Sequence, residues 1–189
     1  MTSRGRAVNS RLDQVLDAAY VTFTKHGVRR TTMEDIARAA GMSRAAVYQY
    51  VRNKDDAFLR LAERLHGQAL AQAEQAAVAE GTAHERIRGI LGAKLDLFQK
   101  VVEDSPHASE LIDTTDRLCG PTVQQFTKDL HDLLTEAFAA AGTTTVTPTQ
   151  AADIAIALVL GLELTPDGAA LLRPATEALI VGLTERDTP

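Results

Sequence analysis

Between residues 11 and 26 the apolar side chains Leu12, Leu16, Ala19 and Phe23 recur at steps of four, three and four, one face of an amphipathic helix. Gly27 ends that pattern as a left-handed C-terminal residue would. Thr31 stands three residues before Glu34, the spacing at which a hydroxyl and a carboxylate reciprocally satisfy the free N–H groups of a helix start, and a short helix is predicted to about residue 40. Gly41 breaks it, and Ser43 is placed to cap a third helix running through Val47 to about Tyr50. Asp55 and Asp56 then open a long helix to about Glu80, with its acids at the positive end of the dipole.

Further helices are predicted over 84–103, from Ser105-Pro106 to about Leu118, and from Gly120-Pro121 to Ala141. A loop over 142–147 precedes a helix from Pro148 to about Thr165. The last helix falls between Asp167 and Arg186, with Pro174 either kinking it or marking its start. That makes nine helices, no strand and no internal repeat, an all-α fold.

Composition sharpens this picture. Aromatic residues make up 4% of the 189 positions, Trp is absent and Ala fills 31, so the interior is assembled from small and aliphatic side chains, as in helical packing. One cysteine, Cys119, excludes an intramolecular disulfide framework and a cysteine-built zinc site; it is read either as packing or as a redox-sensitive thiol. No cofactor or metal set is expected. The N-terminal residues lead into polar sequence without an apolar signal region, and no window approaches a membrane span, so a cytoplasmic location without membrane partners is expected.

The net charge of −5 conceals a segregation. Residues 1–54 carry ten Lys and Arg against four Asp and Glu, whereas residues 55–189 carry ten against twenty-one. A basic module, 1–54, is thus joined to an acidic body, 55–189.

Within the module, counting from Met33, Ala37 is the small fifth residue that lets two crossing helices approach. Gly41 is the ninth, where the turn needs a positive φ, and Ile36 and Val47 supply the apolar contacts. This is the spacing of a helix-turn-helix, whose second helix fits the major groove of B-DNA. That helix offers Ser43, Arg44, Ala45, Tyr48 and Gln49. Arg44 suits guanine, Gln49 adenine, and Ala45 or Ala46 a thymine methyl. Tyr48, Tyr50 and Lys54 are candidate phosphate partners, with Thr31 and Thr32 as a phosphate seat flanked by Arg29 and Arg30. Arg4, Arg6 and Arg11 form either an arm along the DNA or a solvated tail.

The run from Arg29 to Phe58 resembles the DNA-binding domain of the TetR family of bacterial regulators: a Thr pair, Ile36-Ala37, Ala40-Gly41, Ser43, Tyr48 and Lys54 stand in the family order, with Val51 where Phe is more frequent. The resemblance covers about residues 10–58 and implies that Thr32, Tyr48 and Lys54 contact phosphates while Arg44, Ala45 and Gln49 face bases. It also implies an N-terminal three-helix DNA-binding domain followed by a larger helical domain for effector binding and dimerisation.

The last two long helices are too apolar around their circumference to face water on one side. Ile154, Leu158, Gly161, Leu162, Leu172, Leu179, Ile180 and Leu183 are the candidate dimer surface, in a four-helix arrangement with a second copy; the competing reading makes them core of a monomer. The resemblance implies an effector cavity among the middle helices. Its candidate lining is Leu95, Phe98, Leu111, Phe126 and Leu130, with His107, Arg117, Thr127 and His131 as polar fixtures, although ordinary core packing explains the aliphatic residues equally.

No phosphate loop, nucleophile elbow, zinc-protease motif or paired-carboxylate constellation is present, so an enzyme is not expected. The reading favoured is a TetR-like regulator, a repressor rather than an activator, binding a palindromic operator as a homodimer and released by an unidentified small molecule. The alternative is a helix-turn-helix protein without a small-molecule effector, with an activating or architectural role.

Overall fold

The computed structural model describes residues 3–165 and 168–184, with side chains from Ser10 onward. Nine α-helices occur among the described residues: α1 (Ser3–His26), α2 (Met33–Ala39), α3 (Arg44–Val47), α4 (Lys54–Ala77), α5 (Ala83–Asp104), α6 (Ala108–Leu118), α7 (Gly120–Ala141), α8 (Pro148–Glu163) and α9 (Leu172–Leu183). A 3-10 turn, Gly168–Leu171, precedes α9, and the one β-type pairing described is an isolated bridge between Thr143 and Thr184. The all-α expectation is met.

Several helix limits differ from the sequence reading, and one alternative left open there is decided. The first helix begins at Ser3 rather than near residue 11, because apolar periodicity sets the predicted start and the sequence SRGRAVNS carries no such period. The sixth begins at Ala108 rather than Ser105, because the Ser105 hydroxyl donates to the Thr24 carbonyl and accepts from the His107 N–H instead of capping a helix. Pro174 lies in the first turn of α9, so it marks a start and not a kink. The Arg4 and Arg6 side chains and the predicted limits Asp167 and Arg186 lie outside the described residues.

The chain divides into two compact units, one of residues 1–65 and 101–122, the other of 66–100 and 123–189. Neither is continuous in sequence, and the divisions fall within α4, α5 and α7 rather than at Lys54. In the first unit α1 buries Val15, Leu16, Ala19 and Phe23, and the Phe23 ring lies tilted against Phe58 of α4 at 5.6 Å between centroids. Ser105 is buried on the Thr24 carbonyl, and Tyr20 donates to Asp104, so the segment entering α6 is tied to α1. Cys119 is fully buried here; burial and, secondarily, Glu63 push its thiol up to about 11, which makes it a packing residue and not a thiolate.

The start of α4 is also held by local polar chemistry. Asn53 Oδ1 accepts from the Asp56 N–H at 2.8 Å. The Asp56 carboxylate is buried and accepts from the Arg52 N–H at 2.7 Å, the Arg52 guanidinium at 3.1 Å and Arg60 Nε at 3.3 Å. Burial pushes its pKa upward, but the Arg52 hydrogen bonds and the two cations outweigh that and hold it below its ordinary value.

The second unit has one apolar core. Ile87, Ile90, Leu91 and Leu95 of α5 meet Phe126, Leu130, Leu134 and Phe138 of α7, with Ala151, Ala152, Ala155 and Val159 of α8 and Leu172 and Ile180 of α9. Small residues allow the close approaches: a side chain at Gly89 would collide with Ala76 of α4. Thr147 and Gln150 form a reciprocal cap on α8.

Asp56→Asn is expected to cost about 1–3 kcal/mol at neutral pH, because acceptors for the Arg52 N–H and two guanidinium groups are weakened. A carboxylate whose folded pKa is depressed stabilises above its unfolded value and loses that contribution as pH falls through the folded value. Urea unfolding from pH 7 downward should therefore show a shallower acid loss in the variant than in the native chain.

Candidate nucleic-acid interface

The helix-turn-helix is held from inside by Ile36, Ala37 and Val47, all at 1% exposure or less. Between the helices Gly41 has φ +64°, the left-handed conformation the turn requires. The Ser43 hydroxyl accepts from the Ala46 N–H at 3.2 Å and caps α3. With Val47 directed inward, Arg44, Ala45, Tyr48 and Gln49 are left on the solvent side, while Tyr50 is half-buried. The α-helix ends at Val47; residues 48–50 continue as tighter turns, with Gln49 and Tyr50 N–H groups bonded to the Ala46 and Val47 carbonyls.

Arg44 and Tyr48 are not independent. An Arg44 Nη2 donates to the Tyr48 hydroxyl at 3.2 Å, and the guanidinium carbon stands 5.5 Å from the centre of the Tyr48 ring.

The second helix is capped one residue later than its sequence suggests. Thr32, not Thr31, is the N-cap: its hydroxyl accepts from the Asp35 N–H at 3.2 Å, and Asp35 accepts from the Thr32 N–H at 2.9 Å. Both Thr31/Glu34 and Thr32/Asp35 have the right spacing, and burial decides between them. Thr31 is 2% exposed and spends its hydroxyl on the Gly27 carbonyl at 2.7 Å and the Thr22 carbonyl at 3.2 Å. Thr31 is therefore withdrawn as a phosphate contact. Thr32 stays exposed, with the Asp35 carboxylate on its hydroxyl at 2.6 Å; hydrogen bonds from the Thr32 hydroxyl and N–H hold Asp35 below its ordinary pKa.

Arg29 extends into solvent, and Lys54 Nζ donates to the Arg29 carbonyl at 3.3 Å, which brings those two cations together at the start of α4. One participant was invisible in the sequence. Glu110 of α6 accepts from the Arg29 N–H at 2.6 Å, and its carboxylate covers the α-carbon of Gly27, whose φ is +77°. Its partner lies 81 residues away, so no local pattern announces it.

The candidate effector-lining residues are divided between the two units. His107, Leu111 and Arg117 belong to the first unit, where Arg117 is exposed and 4.0 Å from Asp55. In the second unit Leu95, Phe126 and Leu130 are core and Phe98 packs against them. Thr127 and Leu130, with Ile90, Leu91, Leu134, Ile156 and Val159, line a slot of about 10 Å³, room for a single water. His131 is directed instead to Asp153 at 3.1 Å. The Lys94–Glu163 ion pair, 2.5 Å and largely buried beside that slot, went unnoticed in the sequence.

On α8 and α9, Leu172 and Ile180 are fully used in the unit's own core, and Leu162, Leu179 and Leu183 pack against it, which removes Leu172 and Ile180 from an available dimer surface. Ile154, Leu160, Gly161 and Val181 are exposed, with Leu158 intermediate.

Residues 15–61 match the family described as bacterial regulatory proteins, tetR family. Over these residues the chain is similar to the DNA-binding module of the TetR family. The HTH-type transcriptional regulator TtgR of Pseudomonas putida is 43% identical over 53 residues, 28% of this chain and 25% of TtgR. The aligned stretch thus spans about a quarter of that relative's length. Among solved structures, SmeT, described as the repressor of the Stenotrophomonas maltophilia multidrug efflux pump SmeDEF, aligns over 93% of this chain and 91% of its own at 24% identity and TM-score 0.66. A transcriptional regulator from Cytophaga hutchinsonii aligns over 92% and 98% at 15% identity and TM-score 0.75. These two likenesses show that the helical fold shared with those structures continues beyond the module.

Among the described residues no group of three or more His, Cys, Asp and Glu is placed to hold a metal ion, and no helix is long and apolar enough to cross a membrane.

Gly41→Ala should cost about 1–2 kcal/mol of stability, the strain of a left-handed side chain in otherwise open space. Gly27→Ala should cost about 0.5–1.5 kcal/mol more, since it also displaces Glu110 from the Arg29 N–H. In a Glu110→Ala background the excess should disappear, a coupling that thermal unfolding of the four variants measures.

Proposed function

We propose that this protein is a TetR-family transcriptional repressor that binds a two-fold symmetric operator as a homodimer and is released by a small molecule. The observation that carries the DNA-binding part is the exposed set Arg44, Ala45, Tyr48 and Gln49 on a third helix anchored by Val47, within a sequence that matches the family's regulators. Such a helix places side-chain donors and apolar atoms against base edges, while Arg29, Thr32, Tyr50 and Lys54 provide phosphate contacts beside it. Ser43 serves as the cap that orients it. In this reading residues 1–54 are the DNA-binding domain and 55–189 the effector and dimerisation domain, acting in the cytoplasm by binding and not by catalysis.

One helix-turn-helix reads few base pairs, so useful specificity calls for two, about 34–36 Å apart. The exposed apolar side of α8 and α9 supports a second copy as partner. Ile154, Leu160 and Val181 are solvent-exposed at 39%, 37% and 67%, and side chains built at Gly161 or Gly182 would meet nothing of the chain itself. Small residues at open positions between apolar ones suit close helix approach.

The effector part draws on SmeT, which has been solved as a complex with triclosan. The closed 10 Å³ slot in the second unit means that an effector would have to part α5, α7 and α8, or enter elsewhere. That same closure favours, as a second reading, a DNA-binding regulator without a small-molecule ligand. Release would act through α4, which continues from the DNA-binding domain, and through α6, whose Glu110 grips the turn leading into α2.

Arg44→Ala should weaken operator binding by about 1–3 kcal/mol and relax preference at one position per half-site; equal weakening on every sequence would remove Arg44 from base readout. Val181→Glu should yield a folded monomer by sedimentation with poor operator affinity, and an intact dimer would move the interface away from α9.

A further inference from the structure

We infer that Tyr48 is a positioning residue for Arg44, and so sets base specificity, in addition to any contact it makes with the DNA backbone. The inference rests on the DNA-binding reading above. Arg44 and Tyr48 are four residues apart, one helical turn, and both are exposed beside the buried Val47. The guanidinium lies over the Tyr48 ring and donates one hydrogen bond to its hydroxyl. The backbone beneath is also fixed: the Tyr48 N–H donates to the Arg44 carbonyl at 3.1 Å, and Ser43 caps the same turn. Glu34 of α2 adds a carboxylate whose charge favours the cation at this place.

A solvent-exposed arginine samples many rotamers, and a bidentate contact to the O6 and N7 of a guanine requires one of them. Stacking on Tyr48 confines the choice before DNA arrives, so less conformational freedom is lost on binding. Using one N–H on the Tyr48 hydroxyl leaves four of the five guanidinium donors for a base edge. The phenol, accepting from Arg44, keeps its own proton to donate to a phosphate. The two roles of Tyr48 are therefore compatible in geometry but differ in what they predict. A phosphate contact acts equally on all sequences, whereas a positioning contact acts at the one base pair that Arg44 reads.

The test uses the full-length chain and an operator selected from random duplexes by the native protein. Binding of the native chain, Arg44→Ala, Tyr48→Phe, Tyr48→Leu and Arg44→Ala/Tyr48→Leu is measured on that operator and on every single base-pair change, at two salt concentrations. Tyr48→Leu should lose about two- to fivefold of discrimination at the base pair where Arg44→Ala loses it, with no further loss there in the double variant. Tyr48→Phe, which keeps the ring, should retain part of that discrimination. A Tyr48→Leu protein that binds all sequences more weakly by one factor, with a shallower salt dependence and unchanged discrimination, overturns the inference and leaves Tyr48 a phosphate contact only. A DNA-free readout separates this failure from failure of the DNA-binding reading. The Arg44 side-chain proton resonances should be ring-shifted in the free native protein and in Tyr48→Phe, and lose that shift in Tyr48→Leu. Resonances that do not move overturn the stacking itself. If no sequence is preferred by the native protein, the DNA-binding reading falls and the specificity role falls with it.

Discussion

The contact that everything in the DNA-binding head depends on is the meeting of α2 and α3 through Ile36, Ala37 and Val47, none of them more than 1% exposed. Burying these three side chains fixes the rotation of a helix only four residues long, which has too few internal hydrogen bonds to hold itself. With Val47 directed inward, helical geometry places Ala45 on the opposite side, and Arg44, Tyr48 and Gln49 reach solvent beside the buried contact. The Gly41 turn makes the meeting possible, since its left-handed backbone brings the two helices together over four residues. Specific polar chemistry is thus mounted on an apolar anchor, and an exposed side chain such as Tyr48 is free to be used for organising its neighbour.

Around that anchor, acids sit among the cations. Asp35 closes the start of α2, Asp56 gathers Arg52 and Arg60, and Glu110 holds the backbone N–H of Arg29. Each of these carboxylates is committed to backbone donors, so each orders the chain and leaves exposed guanidinium and ammonium groups for the outer surface. Of these three acids only Asp35 lies within residues 1–54; Asp56 and Glu110 come from the acidic remainder of the chain and offset some of the cations they meet.

The second unit shows the opposite economy. Its interior is small side chains closely fitted, Ala151, Ala152 and Ala155 on α8 and Gly89 against Ala76, with a slot no larger than a water. Such a core carries little free volume, and helices can separate only together. This packing leaves Ile154, Leu160 and Val181 solvent-exposed.

What local sequence determined was the number of helices, their approximate limits and the helix-turn-helix, because hydrophobic period, glycine turns and hydroxyl caps are set by neighbours within four residues. Ile36, Ala37, Gly41, Ser43 and Val47 could be assigned before any coordinates existed. What only the tertiary structure decided was which of two equivalent caps opens α2, that Thr31 faces inward, that Glu110 reaches the Gly27 turn, and that Leu172 and Ile180 belong to the core. The candidate effector lining fell between two compact units for the same reason. Each of these depends on which of several apolar faces is covered by a helix distant in sequence, and periodicity shows that a face is buried without showing what buries it.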